Sequence, residues 1–205
     1  MNYRRSVEAL IPGVQGRVLG VLARTETEMT IRTVASLADA SPQQATVVVT
    51  HLVDLGVVSR REAGSSSLVR LERENEAARV VLALARLQES TMDRLTDVAR
   101  HVVPVPVSLI VFGSFARGEA DTESDLDILA VRSSEVAADD NEWIDSLGRW
   151  EVDARKIVGN PVNMMVVAFD EVPALLRRRS GPWQTIAREG IPLLGSPLSA
   201  LASVA

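Results

Sequence analysis

The chain has 205 residues, which fits one large domain or two small ones, and 46% hydrophobic residues with only 3% aromatics, so Val, Leu, Ala and Ile must fill the core. It has no Cys, which excludes disulfides, cysteine nucleophiles and thiolate zinc sites, and only two histidines, His51 and His101, which argues against an imidazole zinc site. The net charge of −5 is uneven: residues 1–100 carry 13 basic and 12 acidic side chains and residues 101–205 carry 9 and 15, so the first half suits nucleic acid and the second a metal-dependent site.

MNYRRSVEAL at the start lacks a long apolar core, and no uncharged apolar run reaches about 18 residues, so the reading is a soluble, cytoplasmic chain with no membrane partner. Val14 to Leu22 has helical spacing, with Val14, Val18, Leu19 and Leu22 on one side. Thr30 is expected to cap a second helix through Val34, Leu37 and Ala38. Ser41-Pro42 opens a third, with a capping hydroxyl and proline at the first helical position. Its apolar side is read as Val47, Val48, His51, Leu52 and Leu55, and Gly56 ends it. Two short strands, Val57–Arg61 and Ser67–Leu71, then flank the turn 62–66.

Three helices and a hairpin in this order resemble the winged helix-turn-helix domains of transcription regulators, over roughly residues 10–72. The resemblance implies double-stranded DNA as a partner, read by the third helix in a major groove. Ser41, Gln43, Gln44, Thr46 and Thr50 are the candidates for bases, and Arg32, Arg60, Arg61 and Arg70 for phosphates. The same fold also serves in dimerisation and protein docking. No Arg or Lys lies between Ser41 and Gly56, and that alternative stays open.

Residues 74–102 read as a linker helix, with Ala78, Val81, Leu82, Ala85, Leu87, Met92, Leu95 and Val98 at three- and four-residue steps; that face would pack within the chain or form a homodimer. Residues 103–205 then form the second domain. The buried strand 105–112 runs into Gly113-Ser114-Phe115-Ala116-Arg117-Gly118, followed by Ser124-Asp125-Leu126-Asp127 and a second strand. Gly113 lets a phosphate approach the backbone, and Ser114 offers a hydroxyl and an amide. Asp125 and Asp127, two apart at a strand start, share one face and suit Mg²⁺ beside triphosphate oxygens. Arg117 is placed for a phosphate or an acidic neighbour.

This two-part motif closely resembles the signature of the DNA polymerase beta-like nucleotidyltransferase superfamily, in its minimal branch, which includes antibiotic nucleotidyltransferases and members of toxin–antitoxin pairs. The fold class expected is therefore α/β (α+β): an N-terminal winged helix-turn-helix and a C-terminal mixed sheet flanked by helices. The resemblance implies that Gly113, Ser114 and Arg117 bind nucleotide and that Asp125 and Asp127 are catalytic and hold Mg²⁺ or Mn²⁺. A nucleoside triphosphate would be substrate or ligand, and a small helical protein is a possible partner. Active members carry a third carboxylate on a later strand. Here a helix over about 133–158 leads to the strand 162–169, and the corresponding residue is Asn163, a neutral metal ligand that cannot act as a base. Asp153 is expected on the preceding helix and Asp170 at the strand's far end, capping the next helix. Two readings follow: a Mg²⁺-dependent transferase of unknown acceptor, or a catalytically impaired, nucleotide-responsive regulator.

Toward the end, Arg177-Arg178-Arg179 reads as a solvated cluster and Trp183 and Ile186 as core. Trp143 and Trp150, seven apart, share a helix face that packs or forms an interface.

Overall fold

A computed structural model describes residues 1–64, 66–178 and 180–201. Ser65 of the expected wing, Arg179 of the arginine cluster and the final residues 202–205 lie outside the described residues. The chain forms two compact units. One comprises 4–87 with Asn2, and the other 88–205 with Met1 and Tyr3.

The first unit runs α1 (Ser6–Leu10), α2 (Val14–Ala23), β1 (Met29–Thr30), α3 (Ile31–Leu37), α4 (Pro42–Asp54), β2 (Val58–Ala63), β3 (Ser66–Leu71) and α5 (Glu76–Ala85). Its three strands pair antiparallel in the order β1-β3-β2. Helix ends follow local chemistry. Thr30 Oγ1 accepts from the Thr33 N–H at 3.1 Å. Ser41 and Gln44 form a reciprocal capping box, with Pro42 opening the helix behind it. The core gathers Val18, Leu19, Leu22, Val34, Val49, Leu52, Val69, Ala78 and Val81.

The apolar side of α4 differs from the expected one. Ala45, Val49 and Leu52 are buried, whereas Val47 is 66% exposed, Leu55 55% exposed and His51 exposed as well. Three consecutive valines, 47 to 49, fit several rotations of a helix; the spacing 45, 49, 52 fits the core. Leu37 of α3 is likewise exposed while Val34 and Ala35 are buried.

The expected linker helix is two helices, α5 and α6 (Leu87–Ala99). Arg86 leaves helical geometry at φ −101°, ψ 16°. The buried stripe changes there too: Ala78 and Val81 belong to the first core, and Thr91, Leu95 and Ala99 repeat every four residues in the second unit. No Gly or Pro marks the break, since each half obeys its own core.

The second unit continues with β4 (Ser108–Phe112), α7 (Gly113–Ala116), β5 (Leu126–Arg132), α8 (Asn141–Val158), β6 (Val162–Ala168), a 3-10 turn (Phe169–Glu171), α9 (Val172–Arg177), α10 (Trp183–Glu189), β7 (Ile191–Gly195) and α11 (Leu198–Leu201). The sheet order is β6-β5-β4-β7, with β5 and β6 parallel and the other pairs antiparallel. It is a mixed sheet flanked by helices. Ile110, Phe112, Leu129 and Val131 pack with Val172, Leu175, Trp183, Ile186, Leu198 and Leu201. Trp143 and Trp150 are both buried, so their shared face packs inward. α8 starts later than expected because Asp140 caps it, its Oδ1 accepting from the Trp143 N–H at 2.9 Å; Gly159 ends it at φ +71°. Asp170 does not cap α9: its carboxylate accepts from the Ser134 hydroxyl at 2.8 Å, and the helix has no side-chain cap. Among the described residues no helix is long and apolar enough to cross a membrane.

Candidate functional site

The central strands of the second unit end together. Register places Asp127 of β5 opposite Phe112 of β4 on one side and Asn163 of β6 on the other. Gly113 follows Phe112 and turns the chain at φ +70°. A Cβ built on Gly113 would lie 2.4 Å from Asp127 Oδ2, a distance that backbone and carboxylate cannot share. Glycine is favoured here by its left-handed backbone, and any side chain would also displace the Asp127 carboxylate packed over it.

Asp127 is half-buried and Asp125, one residue before the strand, is exposed. Asp125 forms no ion pair among the described residues. Asn163 donates through Nδ2 to Asp127 Oδ1 at 3.1 Å. Asn163 thus contacts Asp127 directly across the β5–β6 pair. Among the described residues no three His, Asp or Glu side chains come together as a metal cluster. Asp153 is paired with Lys156 on α8 at 2.9 Å and Asp170 with Ser134, so each is engaged elsewhere.

Two carboxylates two residues apart in the chain offer hard oxygen donors of the kind that Mg²⁺ or Mn²⁺ takes. The residues fit one such ion. Asp125 and Asp127 would hold it, and it would supply charge neutralisation beside a triphosphate. Ser114 lies half-buried in the helical turn Gly113–Ala116 that follows β4. Arg117 is exposed and paired with Glu119 at 2.8 Å and Glu189 at 3.3 Å. These partners, Glu119 first, hold the guanidinium more firmly charged than usual.

Several residues that support this turn carried no signal in the sequence reading. Asn160 is buried; its Nδ2 donates to the carbonyls of Asp121 at 2.8 Å and Ser124 at 2.7 Å, and its Oδ1 accepts from the Met1 ammonium at 2.7 Å. It fixes the loop that presents Asp125. Tyr3 donates its N–H to the Ala120 carbonyl at 2.8 Å and its hydroxyl to the Val158 carbonyl at 2.9 Å. Its ring lies against Phe115 with centroids 5.1 Å apart. Burial pushes the Tyr3 hydroxyl pKa up. Gln88 Nε2 donates to the Phe115 carbonyl at 2.8 Å. Gly159-Asn160-Pro161 reads locally as a turn, and no periodicity links Tyr3 or Gln88 to a motif more than 20 residues away.

In the first unit, Arg32, Thr46 and Arg60 line one polar cleft of about 630 Å³ with Thr30, Ile31, Ser66 and Ser67. Gln43 and Gln44 border a different, apolar depression with Val14, Val47 and Val48. Ser41 and Gln44 are occupied in the capping box, and Thr46 donates to the Pro42 carbonyl. Thr50 is exposed. Arg60 pairs with Glu62, Arg61 with Glu28 and Arg70 with Glu72. The Arg61 hydrogen bond holds the Glu28 carboxyl below its ordinary range.

Residues 92–175 match the family model described as the nucleotidyltransferase domain. No curated protein matches the chain. Solved structures similar to it include a toxin–antitoxin complex with AMP-PNP, 16% identical over 55% of this chain and 82% of that one with a TM-score of 0.38. Another is a mutant of the toxin–antitoxin MntA–HpeT, 13% identical over 55% and 81% with a TM-score of 0.37. The second unit is thus similar to nucleotidyltransferase domains over the stretch that holds Gly113, Asp125, Asp127 and Asn163.

Proposed function

We propose that residues 88–205 form a nucleotide-binding module that holds a nucleoside triphosphate with one Mg²⁺ or Mn²⁺ ion and transfers a nucleoside monophosphate slowly or not at all. The observation that carries this reading is the Asn163 amide on Asp127. An amide in the third-acid position brings no charge for a second metal ion and no base for the acceptor hydroxyl. Gly113 and Ser114 bind the phosphates, and Asp125 and Asp127 hold the ion. Arg117 reaches a phosphate only by leaving Glu119 and Glu189.

The test has two arms. Calorimetry with a non-hydrolysable triphosphate and Mg²⁺ reads binding, and incubation with alpha-labelled nucleoside triphosphates and a cell lysate reads transfer. Binding without label, with label appearing in Asn163→Asp, is the expected result. Label from the wild type that Asp125→Ala abolishes would replace this reading with an active transferase. Absence of nucleotide binding would sink both.

A second reading concerns the first unit, as a winged helix-turn-helix spanning residues 1–73 that binds double-stranded DNA and makes the protein a nucleotide-responsive regulator. Its support is the convergence of Arg32, Thr46 and Arg60 on one cleft. The apolar depression beside Gln43 and Gln44 favours protein docking instead. Membership of a toxin–antitoxin pair, with a small helical partner, rests on the motif's resemblance to the minimal branch. Co-purification with the product of a neighbouring gene tests it.

A further inference from the structure

Helix α8 buries Trp143, Leu147, Trp150, Ala154 and Val158 and leaves a second apolar line facing water. Ile144 is 50% and Val152 55% exposed, and Gly148 lies midway, four residues from each. The three share one face. A shallow depression of about 450 Å³ runs along it, bordered by Gly148, Arg149, Val152, Asp153 and Lys156. Glycine is a poor residue for the middle of an 18-residue helix. Nothing within the chain requires it: its φ is not positive, and an added Cβ would meet no atom within 4 Å.

Charge is also polarised along this helix. Asp139, Asp140, Glu142 and Asp145 cluster at its start, and Arg149, Arg155 and Lys156 in its second half, where Glu151 and Asp153 interrupt them. Asp153 is already paired with Lys156.

We propose that this face joins two copies of the chain, α8 crossing its own symmetry mate antiparallel at Gly148. A two-fold contact must be self-complementary, and this stripe is. Ile144 and Val152 are equidistant from Gly148, so an antiparallel crossing sets Ile144 of one protomer against Val152 of its partner. The same crossing brings Asp140 at the start of one helix beside Lys156 near the end of the other. The missing side chain at position 148 lets the two backbones approach closely, as small residues do at helix crossings. A single helix face is small beside a standard interface, so the dimer forms only at roughly micromolar to tens of micromolar chain.

Sedimentation of the full chain from about 1 to 200 μM reads the mass. The wild type moves from one chain toward two, and Gly148→Gln, which puts a good helix former into open space, stays at one with an undiminished melting temperature. Because the sequence has no cysteine, Gly148→Cys adds an independent readout. Mild oxidation links it into a dimer at least about tenfold faster than Ala77→Cys on α5. A wild type that remains one chain throughout overturns the proposal. So does a Gly148→Gln dimer, or cross-linking at position 148 no faster than at position 77.

Discussion

Where β4 ends and β5 begins, Asp125 stands exposed with no ion-pair partner among the described residues, and Asp127 accepts from the neutral amide of Asn163. On the face of α4 and the β2–β3 hairpin, three of four candidate arginines are each held by a glutamate, and Arg32 alone has no partner among the described residues. The first surface keeps negative charge unmet inside a rigid frame of strands and a left-handed glycine. The second has largely neutralised itself. Carboxylates that no protein cation holds are open to a ligand cation, whereas charge already paired offers a ligand less. The difference makes the second unit the stronger binding candidate, although both regions had plausible residues in sequence.

Removing the unmet charge tests this contrast most severely. Asp125→Ala with Asp127→Ala is expected to weaken Mg²⁺-dependent nucleotide binding by about 100-fold or more, since even outer partners of metal ligands are worth 10- to 100-fold. Unchanged affinity by calorimetry would end the comparison. Next in size is Gly113→Ala, which forces a side chain into a left-handed backbone against Asp127. It should cost about 1–3 kcal/mol in chemical denaturation and weaken nucleotide binding with it. Asn163→Asp sets two carboxylates face to face, and one of them must then hold its proton to a higher pH. Relative to the wild type, the metal-free variant should lose stability as pH rises through the carboxylate range and regain it in acid; Mg²⁺ should close the gap. Thermal melts across pH with and without metal check the sign. In the first unit, Arg32→Ala should lower the salt dependence of any DNA binding by about one phosphate contact, whereas Arg61→Ala should lower it less because Glu28 already holds that arginine. Equal slopes would mean that the pairing is irrelevant. The smallest effect belongs to the loop before Asp125. The Ser124 hydroxyl, and after it the Glu123 amide, keep the Asp121 carboxyl below its ordinary range. That contribution is present at neutral pH and disappears as pH falls through the lowered value. Ser124→Ala should raise the Asp121 pKa, as read by NMR titration, and flatten the acid limb slightly.

Much of the site was legible because it is local. A buried strand running into Gly113-Ser114, then two aspartates at alternate positions, specifies a turn and a shared face without any distant contact. Asn163 was legible only through the family resemblance, which implies a third position on a later strand; the parallel register of β6 on β5 sets it beside Asp127. The supports were not. Asn160, Tyr3 and Gln88 act through single hydrogen bonds to backbone far away in the chain, and a single bond leaves no period to read. The rotation of α4 was misread for a related reason: a run of valines fits several faces, and only the core decides among them.

Tyr3 also has a consequence in time. Its hydroxyl partner, Val158, lies 155 residues further along the chain. During synthesis Tyr3 leaves the ribosome long before its docking site exists, and the loop ahead of Asp125 stays unbraced until residues near 160 have emerged. Closure of so distant a contact is slow. The 4–87 unit can fold first, and the second unit finishes only when Tyr3 docks onto it.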